Sequence, residues 1–306
     1  MLDYRLLEAL YAVIQEGGFD KAASVLHVTQ SAVSQRIRQL EDQTGQVLLM
    51  RTTPPRPTSA GRQILKHYLQ VRQLESDLKN DLTPDPEITW GTLSIGLNAD
   101  SLATWFTDAV RSFLEETPAL IDLRVDDQDQ THQFLRDGEV LGCISSREKP
   151  VQGCSVTPLG CMDYRLLATP NFAKRWFSNG LKRRNMQKAP AVIFNRKDDL
   201  HRAMLHKLFG RDIPICPAHY VPSSEQFALT IASGLAYGML PDQQSHEMIQ
   251  TLRLIDLAPE VVVSVDLYWH CWNIHSGLID ALTRCLVKGA QRSLRSVQPM
   301  SGAPLT

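Results

Sequence analysis

No apolar run in this sequence approaches the ~18–20 residues that a membrane-spanning helix needs. The opening stretch, MLDYRLLEALYAVIQEGG, sets acidic residues inside its apolar pattern and lacks the layout of a signal peptide, so a cytoplasmic protein with no membrane partner is expected. The six cysteines (Cys143, Cys154, Cys161, Cys216, Cys271, Cys285) form no C-x-x-C pair. They read as reduced, mostly buried thiols rather than a disulfide frame. Neither G-x-x-x-x-G-K-[ST] nor G-x-G-x-x-G occurs, which argues against a nucleotide cofactor, and none is expected. No serine sits in a G-x-S-x-G elbow. His270, Cys271 and His275 have no second ligand pair beside them, so core packing rather than a metal is expected there. No catalytic residue is assigned, and an enzyme is not expected. Excess charge is also missing: the net charge is −1, which rules out a basic coat for nucleic acid over the whole chain.

What is present is a local concentration of charge. Between Gln30 and Arg72 there are seven basic residues and two acidic ones, net +5, on an otherwise near-neutral chain of 306 residues. Such a segment suggests a phosphate-binding surface. It overlaps the most regular stretch of the sequence, Phe19 to Leu40. Ala22, Ala23 and Leu26 give a first short helix an apolar face, and a tight turn follows at His27-Val28-Thr29. Thr29 is a good N-cap for a second helix, whose Val33, Ile37 and Leu40 recur at i, i+4 and i+7. The opposite face carries Gln30, Ser31, Ser34, Gln35 and Arg38, side chains of the kind that read base edges in a major groove. This is the signature of a helix-turn-helix, and equally that of a helical hairpin with a solvated face.

The chain around that pair narrows the choice. Asp3 to Gln15 reads as a helix ended by Gly17-Gly18, and Gly45 stops the second helix of the pair. Val47 to Leu49 reads as a short strand. The prolines between Arg51 and Thr58 exclude a helix and make a rigid loop, or, beside a helix-turn-helix, a wing with Arg51 and Arg56 set for phosphate or the minor groove. Ser59 is the expected cap of a longer helix to about Leu82. Its Ile64, Tyr68, Val71, Leu74 and Leu78 form a stripe that a second copy of the same helix would cover. Thr83-Pro84-Asp85-Pro86 is a linker. Beyond Trp90, strands and helices alternate, as in parallel βαβ units, through a closing helix at Leu278–Leu294.

These features together resemble the LysR-type transcriptional regulators. The resemblance rests on Ala22-Ala23, on TQSAVSQRIRQLE from Thr29 to Glu41, and on Gly45, Leu48-Leu49, Arg51, Pro57-Thr58 and Gly61. It implies an N-terminal all-α winged helix-turn-helix over 1–58 and a linker, dimerising helix and hinge over 59–90. A C-terminal α/β effector domain of two lobes, of the periplasmic-binding-protein type, would span 91–306, lobe I over about 91–162 and 267–297 and lobe II over about 163–266. A narrower resemblance, to the ArgP/LysG branch of that family, rests on Arg51–Thr58, Asn98–Trp105, Asp127–Asp129, Ser223–Glu225 and Leu267–His270. It implies control of amino-acid export or metabolism genes, with L-lysine or L-arginine as effector. An older name for the branch points to the alternative, a ligand-independent binder of A·T-rich DNA that inhibits replication initiation.

The resemblance also implies partners and roles. The partners are double-stranded DNA with two-fold half-sites, a second copy of the chain through the linker helix, a homotetramer, and RNA polymerase as a further candidate. Gln30, Ser34 and Gln35 would face bases with Ser31, Arg36 and Arg38 nearby, while Arg51, Arg56 and Thr58 hold the backbone. Asn98, Asp100 and Ser101 stand where a strand feeds a helix, a place where α/β ligand sites form. With Asp127, Asp129, Ser145, Ser223 and Ser224 they make the expected effector set: hydroxyls and free amides for a carboxylate, acids for a cation. Each of these serines and aspartates is also a plausible helix cap. On this division Gln35→Ala should relax sequence preference, whereas Arg56→Ala should weaken specific and random DNA evenly and reduce the salt slope by about one phosphate contact. Equal losses from both variants on both DNAs, measured by fluorescence anisotropy against salt, would sink it.

Overall fold

The computed structural model describes residues 2–82, 90–126 and 131–296. The expected linker at Thr83–Pro86 and two expected effector contacts, Asp127 and Asp129, lie outside the described residues. Helix α1 (Tyr4–Gln15) begins at Asp3, whose carboxylate accepts from Arg5 N at 2.9 Å. It packs Leu6, Leu7, Leu10 and Val13 against α2 (Phe19–Val25) and α3 (Gln30–Thr44). Val33, Ile37 and Leu40 are the buried stripe of α3, as their spacing predicts, and Gly45 ends it in the left-handed region at φ 63°.

A two-strand wing follows, β1 (Leu49–Met50) antiparallel to β2 (Arg56–Pro57). The strand stands further along than Val47–Leu49, and Val47 is exposed. The Glu41 carboxylate explains the position: it accepts from Leu48 N at 2.8 Å, so α3 itself takes up the backbone donor just before the strand. Helix α4 (Ser59–Leu82) is capped by Thr58, not Ser59. The Thr58 hydroxyl accepts from Gly61 N at 3.1 Å and donates to Val47 O at 2.6 Å. Gly61 is required here, because a Cβ would run into the Leu48 carbonyl.

The apolar stripe of α4 is not left wholly to a second copy. Tyr68 of that stripe is buried within this chain, its ring 5.4 Å from that of Tyr11 with Arg72 over Tyr11, and Leu65 and Leu69, which stand off the stripe, are buried too. α1 has apolar residues on more than one side, which the α4 periodicity alone does not reveal. Leu74 and Leu78 remain exposed.

The effector domain opens with β3 (Gly91–Asn98), which feeds a helix in three pieces: α5 (Ala99–Ser101), a π-helical turn (Leu102–Phe106) and α6 (Thr107–Glu116). The turn interrupts what the sequence presents as one amphipathic helix from Asp100, and it buries Trp105 and Phe106. Then come β4 (Ala119–Asp126), α7 (Thr131–Arg136) and β5 (Gly142–Ser145). β3 pairs in parallel with both β4 and β5.

From here the pairing is mixed: the long strands that link the two lobes are antiparallel, whereas Ala191–Ile193 pairs in parallel with Ala218–Tyr220. β6 (Cys154–Ala168) is three times the length of the strand read at Tyr164–Ala168. Pro158 and Gly160 in its middle conceal it, since both are strand breakers in sequence. Lobe II is α8 (Pro170–Trp176), α9 (Arg183–Met186), β7 (Ala191–Ile193), α10 (Leu200–Phe209), β8 (Ala218–Tyr220), α11 (Ser224–Ala232), β9 (Gly238–Pro241), α12 (Asp242–Gln250) and β10 (Ile255–Asp256). α12 escapes sequence reading because Ser245 is its one buried residue. β11 (Val263–Trp272) returns antiparallel to β6 along its whole length, and α13 (Gly277–Ser293) closes lobe I against α6.

Gly289 lets α13 approach α6, because a methyl group there would meet the Ala109 side chain and Cα. Gly289→Ala should therefore lower stability by about 1–3 kcal/mol, the usual penalty of overpacking, read as an earlier urea midpoint with an unchanged slope.

Candidate functional site

Two surfaces of this fold hold the expected functional residues. On the head, Thr29 starts α3 by accepting from Ala32 N at 3.2 Å, which aims the first turn of the helix outward. Gln30, Ser31, Gln35 and Arg38 are exposed along one stripe, and Ser34 and Arg36 are half-buried beside it. Arg51 stands exposed just past β1, and Arg56 is exposed on β2. Arg56 also lies near Glu139 of lobe I: burial raises the Glu139 pKa, Asp137 adds to the rise, and Arg124 and Arg56 oppose it. The Thr58 hydroxyl is engaged in joining the wing to α4.

The second surface is the cleft at the carboxyl ends of β3 and β4, facing α11 of lobe II. It encloses about 640 Å³, within the range of small-molecule sites. Its inner recess is lined by Asn98, Asp100, Asp126, Phe194 and Asp198. The Asp100 carboxylate accepts from Ser224 Oγ at 2.7 Å and from Tyr164 Oη at 2.9 Å, so it joins the two lobes. Burial raises its pKa, and the two hydroxyl donors only partly offset that rise. Asp198 accepts from Leu200 N at 2.9 Å and Phe194 N at 3.3 Å; burial raises its pKa too, and the nearby Asp100 charge adds to the rise. Asn98 is buried, and its Oδ1 has no hydrogen-bond partner. Among the described residues no lysine, arginine or histidine lines the recess or the cleft.

The expected effector set is thus divided. Asn98, Asp100, Ser223 and Ser224 come together, although Ser223 also caps α11 by accepting from Gln226 N. Ser101 does not join them: it is fully buried and accepts from Trp105 Nε1, one turn on, at 3.1 Å. Ser145 is also fully buried, accepts from Arg147 N at 3.3 Å, and does not line the cleft. Asp126, Phe194 and Asp198 were missed. Asn195–Asp199 is a polar run between a strand and a helix, the same signal that picked out Asn98–Ser101, and it applies equally there.

Among the described residues no cluster of three or more His, Cys, Asp or Glu could hold a metal, and no helix is long and apolar enough to cross a membrane. Residues 4–62 match the model of the bacterial regulatory helix-turn-helix proteins of the LysR family, and residues 89–291 match the LysR substrate-binding domain. The chain belongs to the LysR family. It is a helix-turn-helix regulator of that family, a class of transcriptional regulators and not of enzymes. It is 42% identical to the HTH-type transcriptional regulator ArgP of Aeromonas salmonicida, over 96% of this chain and 98% of that protein. Two solved LysR-family structures are similar throughout. ArgP from Mycobacterium tuberculosis has a TM-score of 0.84 at 36% identity, covering 97% of this chain and 100% of that one. Full-length LysG from Corynebacterium glutamicum, solved with the bound effector Arg, has a TM-score of 0.76 at 32% identity, covering 96% and 100%.

The buried carboxylate has a measurable consequence. A folded-state pKa raised above the unfolded one means that ionisation destabilises the fold, so stability rises as pH falls through the raised value. Asp100→Asn should raise the melting temperature of the ligand-free protein at about pH 7–8, and the advantage should vanish as the pH drops towards the ordinary carboxylate value of 3.8. A gap that stays constant with pH would contradict this reading of Asp100.

Proposed function

We propose that this LysR-family chain senses a basic amino acid, L-arginine or L-lysine, and adjusts operator binding in response, controlling genes of amino-acid export or metabolism. The observation that carries the proposal is the inner recess: among the described residues it is lined by three carboxylates and an unpartnered buried amide oxygen, with no basic side chain. A ligand guanidinium or ammonium would bring positive charge to Asp100 and Asp198 and a donor to Asn98 Oδ1, with Asp126 beside them. Its α-carboxylate would meet the hydroxyls of Ser223 and Ser224 and the free amides at the start of α11. Asp127 and Asp129 stay in the proposed set as further acids beside Asp126. The arginine held by LysG supports the choice of ligand.

The ligand changes DNA binding only if it favours one arrangement of lobes and subunits over another. Ser224 and Asp100 belong to different lobes, so a cation seated on Asp100 acts at the point where the lobes meet. On DNA, Gln30, Ser34 and Gln35 read bases with Ser31, Arg36 and Arg38 beside them, and Arg51 and Arg56 hold phosphates. Thr58 then serves the wing rather than the DNA. The exposed Leu74 and Leu78 pack against the same helix of a second copy, and dimers pair into a tetramer that meets RNA polymerase. The proposed division of the chain remains 1–58, 59–90 and 91–306.

Calorimetry on the full chain should show saturable binding of L-arginine or L-lysine. L-Citrulline, which keeps the shape of arginine without its charge, should bind about 30-fold more weakly or worse, from the ~2 kcal/mol or more that an unmatched buried charge costs. Asp126→Asn should weaken arginine and leave citrulline nearly unchanged. Equal binding of arginine and citrulline would end the basic amino-acid assignment.

A further inference from the structure

Strand β4 carries a cleft residue and a head contact two positions apart. Asp126, its last residue, lines the effector recess. Arg124 donates from Nη2 to Gln15 Oε1 at 2.5 Å, and Gln15 is the last residue of α1 in the DNA-binding head. Alternate residues of a strand share a face, so these two side chains stand about 7 Å apart along the same side of β4. β4 is paired with β3 in continuous register from Gly91↔Ala119 to Asn98↔Asp126, which couples the cleft residues Asn98 and Asp126 to one rigid ribbon.

We infer that Arg124 is the positioning residue that ties the DNA-binding head to the effector cleft. The inference rests on the reading of the cleft as an effector site. Gln15 is followed by Gly17, at φ 68°, where the chain turns into α2 and the helix-turn-helix. A shift of β4 at Asp126 therefore reaches the base of that turn through a single side-chain contact. Lobe I also meets α4, through Arg62 Nε to Asp137 Oδ1 at 3.3 Å, Lys66 Nζ to Gln152 O at 2.6 Å and the close approach of Gly138 to Leu65. Between the wing and lobe I lies about 430 Å³ of open space, lined by Pro54, Arg56, Arg124 and Glu139 among others. The Arg124 guanidinium is also poised rather than saturated: it reaches Asp122 at 3.3 Å, and its Nε is buried with no hydrogen-bond partner.

The test is amide hydrogen exchange on the full chain without DNA, following residues 15–25, with calorimetry alongside. Arg124→Met should speed exchange in that segment threefold or more. Gln15→Leu, which removes the same contact from the other side, should do the same, and the double variant should be no faster than either single one. L-Arginine should change exchange of the segment in the natural protein. In Arg124→Met it should leave the segment unchanged, although the variant binds the amino acid with an affinity within threefold of the original. Unaltered exchange in both single variants, or an equal arginine response with and without Arg124, would overturn the inference. Should calorimetry show neither arginine nor lysine binding to the natural protein, the effector reading fails alone. Asp126→Asn then perturbs the cleft end of β4 directly: a change in head exchange that disappears in the Arg124→Met background supports the link, and its persistence there overturns it.

Discussion

Two strands run side by side through both halves of the effector domain, and the cleft exists because they do. β6 and β11 pair antiparallel from Tyr164↔Val263 to Cys154↔Trp272. One end of that ribbon joins the parallel strands of lobe I through β5, and the other joins β9 and β10 of lobe II. The register shifts between Leu267 and Tyr268, opposite the stretch from Pro158 to Gly160. Backbone hydrogen bonds hold each half of the ribbon flat, and a register shift locally bends and twists it. The sheet runs on through that bend, and the groove lies where the carboxyl ends of β3 and β4 face the start of α11. The starts of α5 and α11 open into that groove.

The chemistry of the groove follows from what can be buried there. A carboxylate removed from water favours its protonated form unless donors or a cation reach it. Asp100 has two hydroxyl donors and Asp198 two amides, and both still titrate above the usual carboxylate range. Among the described residues none that lines the recess is basic, so its carboxylates have no neighbouring cation from the lining to offset their burial. Such a site is costly when empty and specific when filled.

Much of the head was legible in the sequence because its signals are local. Thr29 as a cap, Gly45 as a stop, and the spacing of Val33, Ile37 and Leu40 each act within one or two helical turns, and all appear in the structure as read. The parallel β3–β4–β5 unit was legible for the same reason. β6 was half-hidden because its proline and glycine are breakers that only a bulged partner strand can accommodate. Helix α12 was hidden because a helix lying on the surface of a lobe shows little apolar periodicity.

Sequence alone determined that this chain carries a helix-turn-helix, an α/β domain, and polar residues at strand-to-helix junctions. These are properties of short segments, governed by capping, periodicity and backbone preference. Tertiary structure alone decided which of those polar residues share a site. It turned Ser101 under Trp105 and buried Ser145, while it brought Asp198 from lobe II beside Asp100 of lobe I. It also set Tyr68 of the α4 stripe against Tyr11 of α1 and placed Arg124 against Gln15. The physical reason is the same each time. A side chain's local backbone decides that it can be polar at a helix start, whereas its direction and its neighbours depend on segments distant in sequence that pack against it.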